Sequence, residues 1–290
     1  MGKMKIISLE GKKSIDVQTT IVRNAKTQSY AVRRACRILA VESIKAYFDS
    51  DGSVMLAQAI EIQTPVSLCI GVESKFKLFC FVPIMRSGLL PWASQLQYVD
   101  DTYGDIVLDL GDVIFVEDIK EGVIKVPSGF AGAERHEDNP TVQKFDYYKP
   151  PKDVKGRIVL IPESVLATAG SAAKVIRALR NAGALAVVLL CAIAAQEGLD
   201  TLDKEFDDFV TVVTCAIDPE LTEEKFIKPG LGDYGNRVFG SKNDEECEKH
   251  QYDQQQEVKR LEKLLEGKED VADPQDARRF GVTAGPGGIV

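Results

Sequence analysis

Short continuous apolar runs alternate along the chain with stretches of helical periodicity. The runs are KLFCFVPI at 77–84, VLI at 159–161, ALAVVLLCAIAA at 184–195 and VTVVTCAI at 210–217. Runs that are apolar without alternation mark strands buried on both faces. Between them, Val175, Ile176 and Leu179 recur at helical spacing, and Gly183 supplies a stop. Upstream, residues 19–48 read as a turn and then a helix, with Tyr30, Ile38, Val41 and Ile44 on one face. Asp49 to Gly52 ends that helix. Strands alternating with helices predict an α/β fold with a mainly parallel central sheet flanked by helices.

The remaining segments are read more coarsely. Residues 1–17 form a lead-in with one short strand at 5–9. MLAQAIEIQTPV is a strand candidate closed by Pro65. Residues 98–134 break into β-like pieces, IVLDL, VIFVEDI and GVIKV, and predict a β-rich insertion or arm. FDYYKPP reads as an edge segment before a proline stop. The run from Ala184 is expected to end at Glu197-Gly198, and DKEFDDF after it is expected to be a short exposed piece.

In such sheets, ligands lie beyond the carboxyl ends of the strands. Arg86, Glu163, Glu197 and Asp218 all fall at predicted strand ends and are expected to face one crevice, although Asp218 equally suits a cap on the next turn. Two strand ends carry an anion-site layout. One is Glu163 followed by Thr168-Ala169-Gly170-Ser171, small residues with a hydroxyl at each end, opening onto a helix. The first N–H groups of a helix lack internal partners and its dipole adds positive potential there. On spacing alone this is an anion cradle or an ordinary connection. The other is Met85-Arg86-Ser87-Gly88. An arginine after a buried strand must be paired or bind something. Arg23, Arg33 and Arg34 are either a solvated helix face or functional. Residues 227–242, IKPGLGDYGNRVFGSK, give a glycine-rich loop whose backbone can approach a ligand closely.

Composition narrows the classes. The chain has 290 residues, 44% hydrophobic and 28% charged, with net charge −8. That charge argues against nucleic-acid binding. No apolar run is long enough to span a membrane, and the start, MGKMKIISLEGKKS, lacks a signal-peptide core. Six scattered cysteines with no CxxC pair read as reduced residues of a cytoplasmic protein. Only two histidines, His136 and His250, with the cysteines scattered, argue against a zinc site. Past Lys242 the chain becomes highly charged, with one apolar stripe at Val258, Leu261, Leu264 and Leu265. The expected division is a domain at 1–242 and a charged extension at 243–290.

In this order the motifs resemble those of the uracil phosphoribosyltransferase family, over most of the chain. ESVLATAGSA resembles its phosphoribosyl diphosphate loop, an acidic residue followed by L-A-T and a Gly-Ser turn. KPGLGDYGNRVFGSK resembles its uracil loop, P-G-L-G-D-x-G-D-R-x-F-G-T, and PIMRSGLL its P-I-L-R-A-G-L. IVRNAKTQSYAVRR and ERHEDNPTVQKFDYYKPP are weaker matches.

The resemblance implies transfer of the phosphoribosyl group from phosphoribosyl diphosphate to uracil, giving UMP and diphosphate, with Mg2+ as cofactor. It assigns the diphosphate to Arg86 and Arg135 and the ribose hydroxyls to Glu163. Ala167, Thr168, Ala169, Gly170 and Ser171 would cradle the 5′-phosphate. Phe226, Ile227, Gly232, Asp233 and Tyr234 would form the base loop, and Asp233 is also the candidate metal ligand. A homodimer or homotetramer and a GTP effector are implied. Several positions depart from the family pattern. Asn236 replaces Asp, Phe226 a Tyr, Glu163 an Asp, Ser164-Val165 a Pro-Met pair and Ala169 a Gly. Between Arg86 and Arg135 the chain is longer than the family's. These departures keep two alternatives open: a phosphoribosyltransferase of altered base specificity, and a non-catalytic nucleotide-binding regulator on the same fold.

Overall fold

The computed structural model describes residues 2–76, 78–103, 106–109, 124–136 and 139–239. The expected extension at 243–290, its apolar stripe and the middle of the insertion lie outside the described residues. Met1–Phe239 forms one unit.

In chain order the unit runs β1 (Lys5–Ser8), α1 (Lys13–Arg23), α2 (Ser29–Phe48), β2 (Met55–Gln63), β3 (Leu68–Phe76), β4 (Phe79–Phe81), β5 (Ile84–Met85) and α3 (Leu89–Tyr103). It continues with β6 (Ile106–Asp109), β7 (Ile124–Pro127), β8 (Phe130–His136), β9 (Asn139–Lys149), β10 (Ile158–Pro162), β11 (Val165–Leu166), α4 (Gly170–Asn181) and β12 (Ala186–Ala195). It closes with α5 (Gln196–Phe206), β13 (Val210–Asp218), β14 (Glu220–Leu221), β15 (Ile227–Lys228) and α6 (Tyr234–Phe239).

The continuous apolar runs pair side by side. The central sheet has the order β1-β13-β12-β10-β4, with β11 on β12, and all of these pairs are parallel. Alternate side chains enter two separate cores, which explains why the strands are apolar throughout. Leu160, Val188, Leu190 and Val213 pack with α1, α2, α3 and α6. Val159, Ile161, Val187, Leu189 and Val212 pack with α4 and α5. The expected α/β fold with a mainly parallel central sheet is therefore present.

The helices show where sequence periodicity misled. The buried face of α2 is Val32, Cys36, Leu39, Ser43 and Tyr47, with Ala35, Ala40 and Ile44 beside it. Of the expected face only Ile44 is fully buried; Tyr30 is 62% exposed. Small side chains let α2 approach the sheet closely, so Ala, Cys and Ser take positions that hydrophobicity alone gives to larger residues. Similarly, DKEFDDF is not an exposed piece. Its first four residues complete α5, with Phe206 buried at the helix end, and Asp207–Phe209 forms a short 3-10 turn. The strand before it stops at Ala195, so Glu197 lies in the helix. The α4 helix ends as expected. Gly183 has φ +87°, and Ala184 N–H bonds the Leu179 carbonyl at 3.1 Å.

Two antiparallel hairpins stand apart from the sheet. β2 and β3 pair from Met55↔Phe76 to Gln63↔Leu68, and β8 pairs with β9. β3 was not anticipated. The described parts of the insertion do contain β-structure, and α3 occupies its first residues.

Candidate active site

The site forms where β10 ends beside the loop after β5. Gly88 fixes how close the two come. A Cβ there would lie 2.3 Å from the Pro162 carbonyl oxygen, so only glycine lets the Arg86–Gly88 loop rest on the strand end. The contact is stapled in both directions. Ser164 Oγ donates to the Ser87 carbonyl at 2.7 Å, and Ser87 Oγ donates to Glu163 Oε1. Ser164 N–H donates to the same Oε1 at 2.8 Å. Met85–Arg86 is a cis peptide. Arg86 itself is exposed and makes no ion pair among the described residues.

Glu163 is only 7% exposed. Burial pushes its carboxyl up to about 7, against the opposing effect of hydrogen bonds from the Ser87 hydroxyl and the Ser164 and Val165 N–H groups. It forms one wall of an open cavity of about 180 Å³. The other walls include Ser87, Ala167, Thr168, Gly170 and Ser171. The structure thus brings together Glu163, the expected phosphate loop and the residue next to Arg86. Ala169, at φ +64°, turns the chain into α4 and points the first helical N–H groups at this cavity's rim.

The glycine-rich loop lies over the next strand ends. β15 pairs with β14, the Lys228–Pro229 peptide is cis, and Gly230 follows at φ +56°. A Cβ on Gly230 would sit 2.0 Å from the Ile227 carbonyl oxygen. Its N–H donates to Asp218 Oδ2 at 2.9 Å, and its carbonyl accepts from Arg23 Nη1 at 2.9 Å. Arg237 Nη2 donates to the Val22 and Asn24 carbonyls at 2.9 and 2.8 Å, tying the end of the loop to the end of α1. Phe226, Gly232 and Asp233 are exposed, and Ile227 is half-buried. Tyr234 is buried beneath the loop, its hydroxyl near Ser164 and Cys36. None of these loop residues lines the 180 Å³ cavity.

The remaining expected residues fall elsewhere. Glu197 is exposed and pairs with Lys225 at 3.4 Å. Asp218 turns to Arg23 and braces the loop instead of facing the cavity. Arg135 lies on β8 opposite Gln143, three residues beyond Gly132, which pairs with Met85; its side chain lies outside the described residues. Sequence reading missed Ser87 as a partner of Glu163. Its position beside Arg86 was the available signal.

Among the described residues no group of three His, Cys, Asp or Glu could hold a metal ion alone. Magnesium bound largely through substrate phosphates needs only one or two carboxylates. Asp233 Oδ1 receives the Asn236 N–H at 2.8 Å, capping α6. Its other oxygen accepts no hydrogen bond among the described residues, so the residues present fit that mode. Among the described residues no helix is long and apolar enough to cross a membrane.

Known proteins share this sequence pattern and fold. The family model described as "Uracil phosphoribosyltransferase" matches residues 9–241. A relative of that name from Bacillus thuringiensis (strain Al Hakam) is 32% identical over 186 residues, covering 63% of this chain and 75% of its own. One from Bacillus mycoides (strain KBAB4) matches to the same extent. The solved structure of the AQ2163 protein from Aquifex aeolicus superposes with a TM-score of 0.62 at 24% identity, over 81% of this chain and 98% of that one; it shares the fold. The chain belongs to the uracil phosphoribosyltransferase family.

Proposed function

We propose that the chain transfers the phosphoribosyl group of phosphoribosyl diphosphate to uracil, releasing UMP and diphosphate, as a pyrimidine-salvage enzyme. One observation carries the reading. Buried Glu163, the Ala167–Ser171 loop and the loop bearing Arg86 meet around a single cavity in a chain of this family.

The reaction displaces diphosphate from the anomeric carbon by a ring nitrogen of the base. Positive charge develops on the ribose and negative charge on the leaving group. Backbone N–H groups at Ala167–Ser171, with the Thr168 and Ser171 hydroxyls, hold the 5′-phosphate. Ionised Glu163 accepts from the ribose 2′- and 3′-hydroxyls. Arg86, exposed at the cavity's edge, holds the diphosphate, for which a planar guanidinium is suited; Arg135 is assigned the same task. Backbone at Ile227 and Gly232 reads the edge of uracil, and the exposed Phe226 ring flanks it. Asp233 would hold Mg2+, which when bound would offset charge on the departing diphosphate.

The same reading includes the division into a domain at 1–242 and an extension at 243–290. It includes a cytoplasmic setting, consistent with buried free thiols at Cys36, Cys80, Cys191 and Cys215. It also includes GTP as an effector that raises the rate, and a homodimer or homotetramer. The exposed apolar face of β3 supports self-association: Leu68, Ile70 and Val72 are 60%, 72% and 73% exposed.

The test supplies labelled uracil, cytosine and hypoxanthine with phosphoribosyl diphosphate and magnesium. UMP from uracil is the expected product. Nucleotide from another base instead would mean altered specificity, and none from any base would mean a non-catalytic binder.

A further inference from the structure

Ser87 sits where two functional segments touch. Its side chain belongs to the Arg86 loop, yet its hydroxyl donates to Glu163 on the neighbouring strand end. Its own carbonyl receives the Ser164 hydroxyl at 2.7 Å. The backbone beside it is fixed, because Gly88 rests against the Pro162 carbonyl with no space for a Cβ. A two-way staple of this kind ties the rotamer of Glu163 to the position of Arg86.

The surroundings of Glu163 give that hydroxyl chemical weight. Behind the carboxyl lies a water-sized void of about 10 Å³, bounded by Cys36 of α2, Cys191 of β12, Ser164 and Tyr234 of α6. Cys36, Cys191 and Tyr234 are the titratable groups lining it beside Glu163. Burial pushes Cys36 to about 11 and Cys191 to about 12, and raises Tyr234 as well. All three stay neutral, and none offers a cation. Arg86 is next to Ser87 in the chain but exposed. Ionised Glu163 therefore depends on neutral donors, and the Ser87 hydroxyl is the side-chain donor among them.

Resting on the proposed transferase reading, we propose that Ser87 is a positioning residue that keeps Glu163 ionised and oriented for the ribose hydroxyls while holding the Arg86 loop in register with it. Oε1 accepts from both the Ser87 hydroxyl and the Ser164 N–H, so the Ser87 hydroxyl bears directly on the carboxylate's rotamer. No side chain other than Ser87 links the diphosphate-side loop to the ribose-side carboxylate among the described contacts.

The experiment uses the full chain with 13C-labelled glutamate. The Glu163 carboxyl resonance is assigned with Glu163→Gln and titrated in wild type, Ser87→Ala and Ser87→Cys. A hydrogen bond to a charged group is worth enough to move the Ser87→Ala midpoint up by about one pH unit. Ser87→Cys keeps the volume and weakens the donor, so it moves the midpoint the same way by less. The acid limb of kcat/KM for UMP formation moves with the resonance, and the rate recovers at high pH. A midpoint unmoved in both variants overturns the inference. If wild type forms no nucleotide, the transferase reading fails, and the resonance still decides what Ser87 does to Glu163.

Discussion

Arg23 and Asp218 meet as a bidentate ion pair at the root of the glycine-rich loop, with Nη1–Oδ2 and Nη2–Oδ1 distances of 2.8 and 2.7 Å. Asp218 is nearly buried, its side chain 4% exposed against 25% for Arg23. Each partner also holds Gly230, one at its N–H and one at its carbonyl. The pair therefore fixes the loop rather than merely joining α1 to β13. Arg23→Ala leaves a buried carboxylate uncompensated, and we expect a loss of about 3 kcal/mol of stability, the low end for breaking a buried pair. KM for uracil should rise more than KM for phosphoribosyl diphosphate. Denaturant titration and separate KM measurements check both. Equal changes in the two KM values would place the pair's effect outside the base loop.

Gly230→Ala tests the loop's shape without touching a charge. The added Cβ meets the Ile227 carbonyl at 2.0 Å, in a backbone conformation that disfavours any side chain. Uracil KM should rise by more than about tenfold, equivalent to 1.4 kcal/mol of binding. The melting temperature should fall as well, since the next residue, Leu231, is buried in the core and Gly230 is bonded to the Arg23–Asp218 pair. A uracil KM within twofold of wild type, roughly the limit of a surface change, would show that Gly230 does not shape the base site.

The raised Glu163 carboxyl makes stability depend on pH with a definite sign. Its folded value, about 7, stands above the ordinary glutamate value of 4.5. Burial disfavours the charged form, so the folded state binds the proton more tightly than the unfolded one. The stability this contributes is complete below about 4.5 and is lost as pH rises through about 7. Glu163→Gln cannot ionise, so the difference between wild type and this variant should show that loss across that window. Chemical denaturation at a series of pH values reads it. A flat difference would show that Glu163 ionises normally.

The β3 face gives a prediction about assembly. Leu68, Ile70 and Val72 alternate along the strand and so share one face. All three are largely exposed within one chain. Replacing Ile70 and Val72 together by lysine should lower the mass measured by analytical ultracentrifugation, with the fold intact by circular dichroism. An unchanged mass would remove this face from the oligomer contact.

Much of the fold was legible because burial on both faces leaves an unbroken apolar run, and β4, β10, β12 and β13 each carry one. β3 was not legible, because its strand LCIGVESKF lies in a hairpin with no core beneath it among the described residues. The face of α2 was misjudged because close packing favours Ala, Cys and Ser over Tyr and Ile. At the site, Glu163 and the Thr168–Ser171 turn announced themselves by local order of residue types. Arg23–Asp218 and Ser87–Glu163 did not, because each joins residues far apart in sequence through tertiary packing alone. Asp218 as a cap or a crevice residue could not be decided locally; its partner lies 195 residues away.

The most direct measurement is UMP formation from labelled uracil and phosphoribosyl diphosphate with magnesium, in wild type and Arg86→Ala. Arg86 is exposed, so its removal should leave the fold unchanged while abolishing turnover. UMP from wild type, and none above background from the folded variant, is the expected result. A folded wild-type chain that makes no nucleotide from uracil, or an Arg86→Ala variant that retains full turnover, would contradict the assignment.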